Sequence, residues 1–419
     1  MTSLLQFTVG NFRSIHKRCT ISMKPQPIKD RPAESVVESG AFKFSTVSSI
    51  YGANSSGKSN VVLAMVNMAN IVNNSVRLND NDEIGQDPFL LAEHSKNEPT
   101  FYEIIFINKE GNARVRYGFE NNKERILREW LFMAEGNKTE QTFFLRDEEG
   151  IAVNEDKFAE GVNKEENTND NRLFLSLVAQ LGGKTSKEVM SFFSSGYNVI
   201  SGLSSQGYNG FTEYLFSEKQ EEAASAMNLF KRLQLGFEDI DTETKDVEIS
   251  LNNNIVDGKE VVPFTIHKIY SSNGDVVGDN RFKLYERESA GTEKLFKLAG
   301  PIFNTLSQGK LLVVDELDAK MHPLISQQII QLFVDSKTNP HHAQLLFTTH
   351  DTNLLSCHLL RRDQIWFTEK NNYEATDLYN MMQIILPDGS KPRSDGNMER
   401  NYIKGRYGAI PYFHPEFED

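Results

Sequence analysis

One stretch near the N-terminus limits what this chain can fold into. It reads Gly52-Ala53-Asn54-Ser55-Ser56-Gly57-Lys58-Ser59 and fits the pattern G-x-x-x-x-G-K-[ST]. An apolar, β-forming run precedes it at 46–51, and a long apolar run without glycine follows it at 61–72, which is the strand, loop and helix order that the pattern requires. The glycines let successive backbone N–H groups face an anion, and the positive end of the helix points to the same place. The stretch therefore predicts a phosphate-binding loop.

The predicted loop gives roles to two of its side chains. Lys58 would reach the β- and γ-phosphates of a nucleotide, and Ser59 would hold Mg²⁺ through its hydroxyl. The residues that we expect to contact the nucleotide here are Gly52, Ala53, Asn54, Ser55, Ser56, Gly57, Lys58, Ser59 and Asn60. The alternative is a glycine- and serine-rich turn that only joins a strand to a helix.

Composition excludes several classes of protein. The chain has 419 residues, and its 39% of hydrophobic and 25% of charged residues are globular values. The net charge of −13 gives no general support for nucleic-acid binding, although it does not exclude a local basic patch. No apolar run approaches the length of a membrane span, and the N-terminus is too polar for a signal peptide. Two widely separated cysteines suit a reducing compartment, so we expect a cytoplasmic protein.

An acidic motif follows a strand in the C-terminal half of the chain. Leu311-Leu312-Val313-Val314 reads as a buried strand, and Asp315-Glu316 comes directly after it. Beside a bound nucleotide, Asp315 would hold Mg²⁺, and Glu316 would orient and deprotonate the attacking water. The alternative is an acidic strand end that caps the next turn. The phosphate loop earlier in the chain favours the nucleotide site.

A histidine, His350, follows the next predicted strand, directly after Thr348-Thr349. At that position its imidazole could contact the γ-phosphate and report its presence. The alternative is a loop histidine that is hydrogen-bonded within the fold. Its place one helix and one strand after Asp315-Glu316 favours the functional role.

A second candidate anion site opens a later helix. Ser289-Ala290-Gly291-Thr292-Glu293 precedes apolar residues that recur at i, i+3 and i+4. A capping hydroxyl, a flexible backbone at Gly291 and a positive helix end are all parts of phosphate sites. Since the loop at Lys58 already serves one nucleotide, this site would serve the nucleotide of a second subunit. The alternative is an ordinary capped helix.

Arg13, near a predicted sheet edge, could likewise contact a phosphate or only form a surface turn.

The rest of the chain predicts an antiparallel sheet and a mixed insertion. Alternating residues predict hairpin strands over 100–107, 113–119, 129–133 and 142–145. Helix-spaced apolar residues follow over 173–181, 188–193 and 213–235, and strand character returns over 247–251 and 261–270. After residue 288 the predicted order is helix, strand, helix, strand, a short helix over 352–360, and a last strand. The alternation predicts an α/β fold.

Together these motifs resemble a known family. The phosphate loop, ESAGTE, LLVVDELD and TTH resemble the heads of ABC-type ATPases, which include chromosome-maintenance and recombination-repair clamps. The opening FTVGNFRSI and the tail NYIKGRYGAIP look more like abortive-infection ATPases of anti-phage systems, relatives of the OLD nucleases. The resemblance implies a P-loop NTPase head of ABC type with an antiparallel β lobe and a helical insertion. Its expected parts are 1–110, with the phosphate loop, 111–284, the β-arm and insertion, and 285–419, with the remaining motifs.

The resemblance also implies roles for single residues. Ser289 and Gly291 would form a signature that reaches the γ-phosphate of the opposite subunit, Asp318 would lie in the dimer-contact loop, and His350 would be the switch histidine. Glu316 would be the catalytic base, with Ser59 and Asp315 on Mg²⁺ and Arg13 near a phosphate. Gln86 is the best candidate for the glutamine that joins metal and γ-phosphate to the arm. The signature SAGTE differs from the LSGGQ of transporters, which argues against a transporter subunit.

Two functions follow from the resemblance. The first is an ATP-hydrolysing sensor or scaffold in anti-phage defence, which forms a homodimer or higher homo-oligomer around sandwiched ATP. It would control a separate effector protein, a nuclease or Toprim-like chain, in response to a phage-derived trigger, because no Toprim-like acidic cluster follows the ATPase motifs. The second is a repair or chromosome-associated ATPase that binds DNA without an effector. A plain metabolic P-loop enzyme is a third, weaker alternative.

Overall fold

The computed structural model describes residues 2–201, 210–251 and 254–411. Its strands are β1 (Ser3–Gly10), β2 (Cys19–Ser22), β3 (Val36–Ser39), β4 (Phe42–Ser45), β5 (Val47–Tyr51), β6 (Thr100–Ile107), β7 (Ala113–Asn121), β8 (Ile126–Glu135), β9 (Gln141–Asp147), β10 (Gly150–Val153), β11 (Tyr197–Ile200), β12 (Asp239–Leu251), β13 (Asn254–Tyr270), β14 (Val276–Lys283), β15 (Leu311–Val314), β16 (Gln344–Thr348), β17 (Ile365–Lys370) and β18 (Thr376–Asn380). Its helices are α1 (Lys58–Asn74), α2 (Phe174–Gln180), α3 (Lys184–Ser191), α4 (Phe211–Ser217), α5 (Glu221–Arg232), α6 (Leu284–Arg287), α7 (Ala290–Gln308), α8 (Pro323–Val334) and α9 (Met398–Ile403).

The element that positions the site is a six-stranded sheet in the order β11-β15-β16-β5-β17-β18. All neighbouring strands are parallel except β17 and β18, which form an antiparallel pair at one edge. The central strands β5, β15 and β16 are buried along their whole length, as is typical of parallel strands. β15 is apolar throughout, while β5 and β16 also bury polar side chains. The carboxyl ends of these three strands therefore meet at one edge of the sheet, where ligands bind in open α/β sheets.

A second sheet is antiparallel and has seven strands in the order β10-β9-β8-β7-β6-β1-β2. The predicted hairpins over 100–145 are present here as β6, β7, β8 and β9. The sheet pairs β6 with β7, so strands on both sides of residue 110 share it. A P-loop α/β head with an antiparallel lobe is thus confirmed, and the predicted domain boundaries stay predictions.

The insertion differs in detail from its prediction. The helix predicted over 213–235 is two helices, α4 and α5, because the chain turns at Lys219, whose φ is +51°. The predicted strands extend into a three-stranded sheet in the order β12-β13-β14. β14 was missed because its sequence VVGDNRFK is mostly polar and its residues are largely exposed. The short helix predicted over 352–360 is only a 3₁₀ turn at Thr352–Leu355.

The aromatic tail packs beneath the phosphate loop. Tyr402 lies against the rings of Tyr51 and Phe367, and its hydroxyl donates to the carbonyl of Ala409 at 2.9 Å. Tyr407 also packs on Phe367. This part of the tail therefore supports the last residue of β5. Among the described helices, none is both long and apolar enough to cross a membrane.

Candidate functional site

The phosphate loop joins β5 to α1, as its sequence predicts. Gly57 caps the helix with a φ of +104°, a left-handed conformation that favours glycine. A Cβ atom at this position would lie 2.1 Å from Oγ1 of Thr376, so a side chain is also excluded by space. Lys58 begins the helix, is 5% exposed, and donates from Nζ to the carbonyls of Gly52 at 2.9 Å and Ala53 at 3.0 Å. Its ammonium group is therefore held across the loop.

Hydroxyl groups from outside the motif support the loop. Thr376 in β18 donates to the carbonyl of Ser56 at 2.9 Å and bonds the hydroxyl of Ser14 at 2.8 Å. Asn60 donates to the same Ser14 hydroxyl at 2.6 Å. The Ser56 hydroxyl bonds that of Thr368 in β17 at 2.7 Å. The sequence did not suggest Ser14, Thr368 or Thr376 as supporting residues, since threonines in strands and a serine in a turn carry no motif.

The acidic motif lies beside the phosphate loop at the carboxyl end of β15. Asp315 is 8% exposed and accepts a hydrogen bond from the hydroxyl of Thr348 at 2.6 Å. The same hydroxyl oxygen accepts the backbone N–H of Glu316 at 2.8 Å. Thr348 thereby holds both acidic residues, although the sequence suggested no role for it. Its place in Thr348-Thr349-His350, at the end of a buried strand, is the signal that could have identified it.

Glu316 has an unusual backbone for a residue with a side chain. Its φ is +54°, which costs roughly 1–3 kcal/mol in a residue other than glycine. The carbonyl of Glu316 accepts a hydrogen bond at 2.7 Å from Nζ of Lys294, which lies in the first turns of α7. The exposed side chain of Glu316 projects from a loop whose backbone is thus held on both sides.

His350 is placed against the loop that follows Glu316. Its backbone N–H donates to both carboxylate oxygens of Asp318 at 3.3 Å. Burial and the nearby positive charge of Lys58 lower the pKa of His350, against the opposing effect of the acidic residues. The ring is therefore mainly neutral at pH 7, and a neutral imidazole can both donate and accept a hydrogen bond.

The charges of the site converge on Lys58. Burial lowers the pKa of Lys58 to about 8, while the carboxylates of Asp315, Glu316 and Asp318 act in the opposite direction. These carboxylates come from the loop after β15 and the ammonium from the loop after β5, so the fold brings together groups about 260 positions apart in the sequence. The phosphate loop, the acidic pair and the histidine lie at one edge of the sheet, as expected for neighbouring parallel strands.

The signature residues begin α7, on the other side of the acidic loop. Ser289 is the N-cap, and its exposed hydroxyl accepts the N–H of Thr292 at 3.2 Å. A Cβ atom at Gly291 would lie 2.7 Å from the carbonyl of Lys320, so glycine is required here by packing within the chain. This is a structural reason for Gly291 that the sequence did not suggest. Contact with a second subunit's nucleotide stays a prediction.

Arg13 and Gln86 lie near each other in loops of the antiparallel lobe. The Arg13 guanidinium donates from Nε to the carboxylate of Asp87 at 2.6 Å. The Gln86 side-chain amide donates to the carbonyls of Glu98 at 3.1 Å and Asn121 at 3.4 Å. Both side chains thus have partners within the lobe. Their roles toward a phosphate and a metal stay predictions.

The residues present fit a nucleotide and Mg²⁺. The close approach of backbone at Gly52 and Gly57 leaves no room for a Cβ atom, as a loop that curls around phosphates requires. Ser59 and Asp315 provide hard oxygen donors, which Mg²⁺ prefers together with substrate phosphates and water. Among the described residues, no group of three or more His, Cys, Asp or Glu side chains could hold a metal ion by itself.

The model of the family described as "AAA domain, putative AbiEii toxin, Type IV TA system" matches residues 47–356. No curated protein matches the chain. Solved structures of the recombination mediator protein RecF of the RecFOR pathway are similar over 90% of this chain and 98% of theirs. The RecF-ATPrS structure has a TM-score of 0.36 at 11% identity, and the RecF-ATP structure has 0.35 at 12%.

Proposed function

The chain belongs to this AAA-domain family, and on this premise we propose that it is an ATP-gated sensor and scaffold in anti-phage defence. It is a P-loop ATPase of the AAA/ABC type, so a nucleotide is its ligand. The proposed activity is hydrolysis of ATP to ADP and phosphate. The family description, with its toxin and toxin–antitoxin system, supports a role in abortive infection.

The observation that carries the proposed activity is the charge cluster at the sheet edge. Lys58 supplies the positive charge for the β- and γ-phosphates, since its ammonium lies across the loop. Glu316 takes the proton of the attacking water, because its exposed carboxylate lies next to the buried Asp315. His350, whose backbone N–H is held by Asp318, would donate from its ring to the terminal phosphate.

The same cluster supplies a metal site. Ser59 and Asp315 would hold Mg²⁺, through its waters or directly. When bound, the ion adds positive charge at the β- and γ-phosphate oxygens. This part of the proposal rests on the chemistry of the donor atoms.

The gating follows from a symmetric arrangement of two heads. Ser289 and Gly291 of one subunit would contact the ATP held at Lys58 of the other, so two nucleotides lie between two heads. Loss of the γ-phosphate removes the group that bridges the subunits, and the interface loosens. A separate effector protein would respond to this change, and a phage-derived molecule would trigger it.

Two substitutions test the activity. We expect Lys58→Ala to abolish ATP turnover, because it removes the charge from the β- and γ-phosphates. We expect Glu316→Gln to bind ATP but to hydrolyse it at least about 100-fold more slowly, as typical for loss of a general base. Steady-state phosphate release and nucleotide binding would measure both.

Lys310→Ala is the matched control for these variants. Lys310 is also partly buried, but it precedes β15 and so lies at the opposite edge of the sheet from the site. Its replacement should leave turnover unchanged. Wild-type turnover in Lys58→Ala would contradict the assignment of the nucleotide site, and wild-type turnover in Glu316→Gln would show that another group is the base.

A pull-down tests the role in defence. Tagged Glu316→Gln would be recovered with ATP from cells that carry the native operon, and protein and nucleic acid in the eluate would be identified. A stoichiometric second protein that is lost with Lys58→Ala would support an ATP-gated scaffold. Nucleic acid without a protein partner, or neither, would contradict it.

A further inference from the structure

Lys294 joins the signature helix to the catalytic loop within one chain. Its Nζ donates to the carbonyl of Glu316 at 2.7 Å and approaches that of Leu317 at 3.4 Å. It lies in α7, one turn after the signature residues Ser289 and Gly291. An ammonium group that donates to a backbone carbonyl fixes the peptide and leaves the glutamate side chain free for chemistry.

The loop that Lys294 contacts needs such support. Glu316 has a φ of +54° and Lys320 a φ of +60°, a conformation that few residues with side chains adopt. The N–H of Glu316 is held by Thr348 at 2.8 Å, and its carbonyl accepts the N–H of Ala319 at 3.2 Å and Nζ of Lys294 at 2.7 Å. Lys294 makes the shorter of the two contacts to that carbonyl and the only one of them that comes from α7. The direction of the Glu316 side chain therefore depends on α7 as well as on β16.

The start of α7 is itself held firmly. Gly291 packs so closely on the carbonyl of Lys320 that a Cβ atom would lie 2.7 Å from it. Glu288, just before the helix, accepts from the hydroxyl of Thr265 in β13 at 2.7 Å and lies 2.9 Å from Nε2 of His267. A change in the position of α7 would therefore be passed on to the loop at Glu316.

We propose that Lys294 is a positioning residue for ATP hydrolysis, which holds Glu316 in its reactive conformation and ties it to the signature helix. This inference rests on the proposed function. It adds a regulatory link between the two subunits. When Ser289 of one chain contacts the nucleotide of the partner subunit, α7 and Lys294 would pass that contact on to Glu316 of the same chain. Lys294 contacts no nucleotide in this role and acts only through Glu316.

Steady-state kinetics separate positioning from binding. We expect Lys294→Met to lower kcat by about 10- to 100-fold with KM for ATP within about two-fold, because a small misplacement of a catalytic group can cost that much. Lys294→Arg keeps a donor and should recover part of the rate. Lys297→Met is the matched control. Lys297 lies in the same helix, but its ammonium sits 4.8 Å from the ring centroid of Tyr285, so this variant should keep the wild-type rate.

A double variant tests whether Lys294 acts through Glu316. In the Glu316→Gln background, Lys294→Met should change the residual single-turnover rate by less than about two-fold, because residues that act as a unit are not additive. An undiminished effect there would overturn the proposal, as would a wild-type kcat in Lys294→Met. If Lys58→Ala abolishes turnover and Glu316→Gln slows it by at least about 100-fold while Lys294→Met keeps the wild-type kcat, only this inference fails. If Lys58→Ala turns over normally, the proposed function fails first.

Discussion

The phosphate loop and the acidic loop lie at the same sheet edge, but their conformations have different origins. In the phosphate loop, Gly57 has a φ of +104° and no room for a Cβ atom, and Ser55 also has a positive φ, +64°. In the acidic loop, Glu316 and Lys320 have positive φ values, and side chains from other elements bond the N–H and the carbonyl of Glu316. Both loops have support from outside, but the most restricted position of the first is filled by a glycine of its own motif, while the strained Glu316 of the second is held by Lys294 and Thr348. We therefore expect the first loop to be most sensitive to change within its motif and the second to change at these two outside residues.

Among the substitutions that test this difference between the loops, replacement of Gly57 should have the largest effect, a loss of ATP affinity. Gly57→Ala places a Cβ atom 2.1 Å from Oγ1 of Thr376 and also forces a left-handed alanine. The left-handed conformation costs about 1–2 kcal/mol, and overpacking adds about 1–3 kcal/mol. Because the loop must shift, we expect ATP affinity to fall by more than about 100-fold. Calorimetric titration with ATP would measure the affinity.

Gly182→Ala separates the two costs of that change. Gly182 has a φ of +103°, nearly the same as Gly57, but nothing lies within 4 Å of where its Cβ would be. In Gly182→Ala, the free energy of unfolding should fall only by the cost of the left-handed conformation. The variant should keep the wild-type ATP affinity. Equal ATP affinities for Gly57→Ala and the wild type would mean that the motif does not depend on this close approach.

The difference between the loops also explains what the sequence could predict. The spacing of Gly57, Lys58 and Ser59 predicts their roles, because these residues are adjacent in the sequence and form a recognisable motif there. The apolar run at 311–314 predicted a buried strand that ends at the acidic pair, but the parallel pairing of β15 with β16 and of β16 with β5, which brings the pair to the loop, is seen only in the structure. The sequence did not predict the roles of Thr348 and Lys294, because a threonine in a strand and a lysine in a helix are common and belong to no motif. Their roles depend on a neighbour 22 or 32 positions away, which only the fold reveals.

Removal of the Thr348 hydroxyl should have the next largest effect. Thr348→Val leaves the N–H of Glu316 without its side-chain acceptor and removes the shorter hydrogen bond to the buried Asp315, whose other carboxylate oxygen keeps the Ser201 hydroxyl at 3.5 Å. A buried polar group that loses its partner costs about 1–3 kcal/mol. We expect kcat to fall by about 10- to 30-fold, together with a lower melting temperature. Phosphate release and thermal unfolding would measure the two changes.

Thr349→Val is the neighbouring control. Its hydroxyl is also buried, and it accepts the N–H of Asp351 at 2.9 Å. A similar loss of stability with a nearly normal kcat is the expected result, since Asp351 is not one of the acidic residues of the site. If both variants lose turnover equally, the effect of Thr348 is on general stability, and the acidic loop does not depend on it for catalysis.

The pH dependence of ATP binding should show the smallest effect and concerns the phosphate loop alone. In the free protein, burial lowers the pKa of Lys58 to about 8. Bound phosphates favour the charged ammonium and raise this pKa, so binding above pH 8 must take up a proton. Affinity should therefore be flat with respect to Lys58 below about pH 7 and fall by about five-fold between pH 8 and pH 9. Lys58→Met should lack this fall. The dependence of its ATP affinity on pH shows the contribution of the other titrating groups. If the wild-type and Lys58→Met curves run parallel above pH 8, the lysine is not the group that binds the phosphates, and the phosphate loop would depend on its backbone alone.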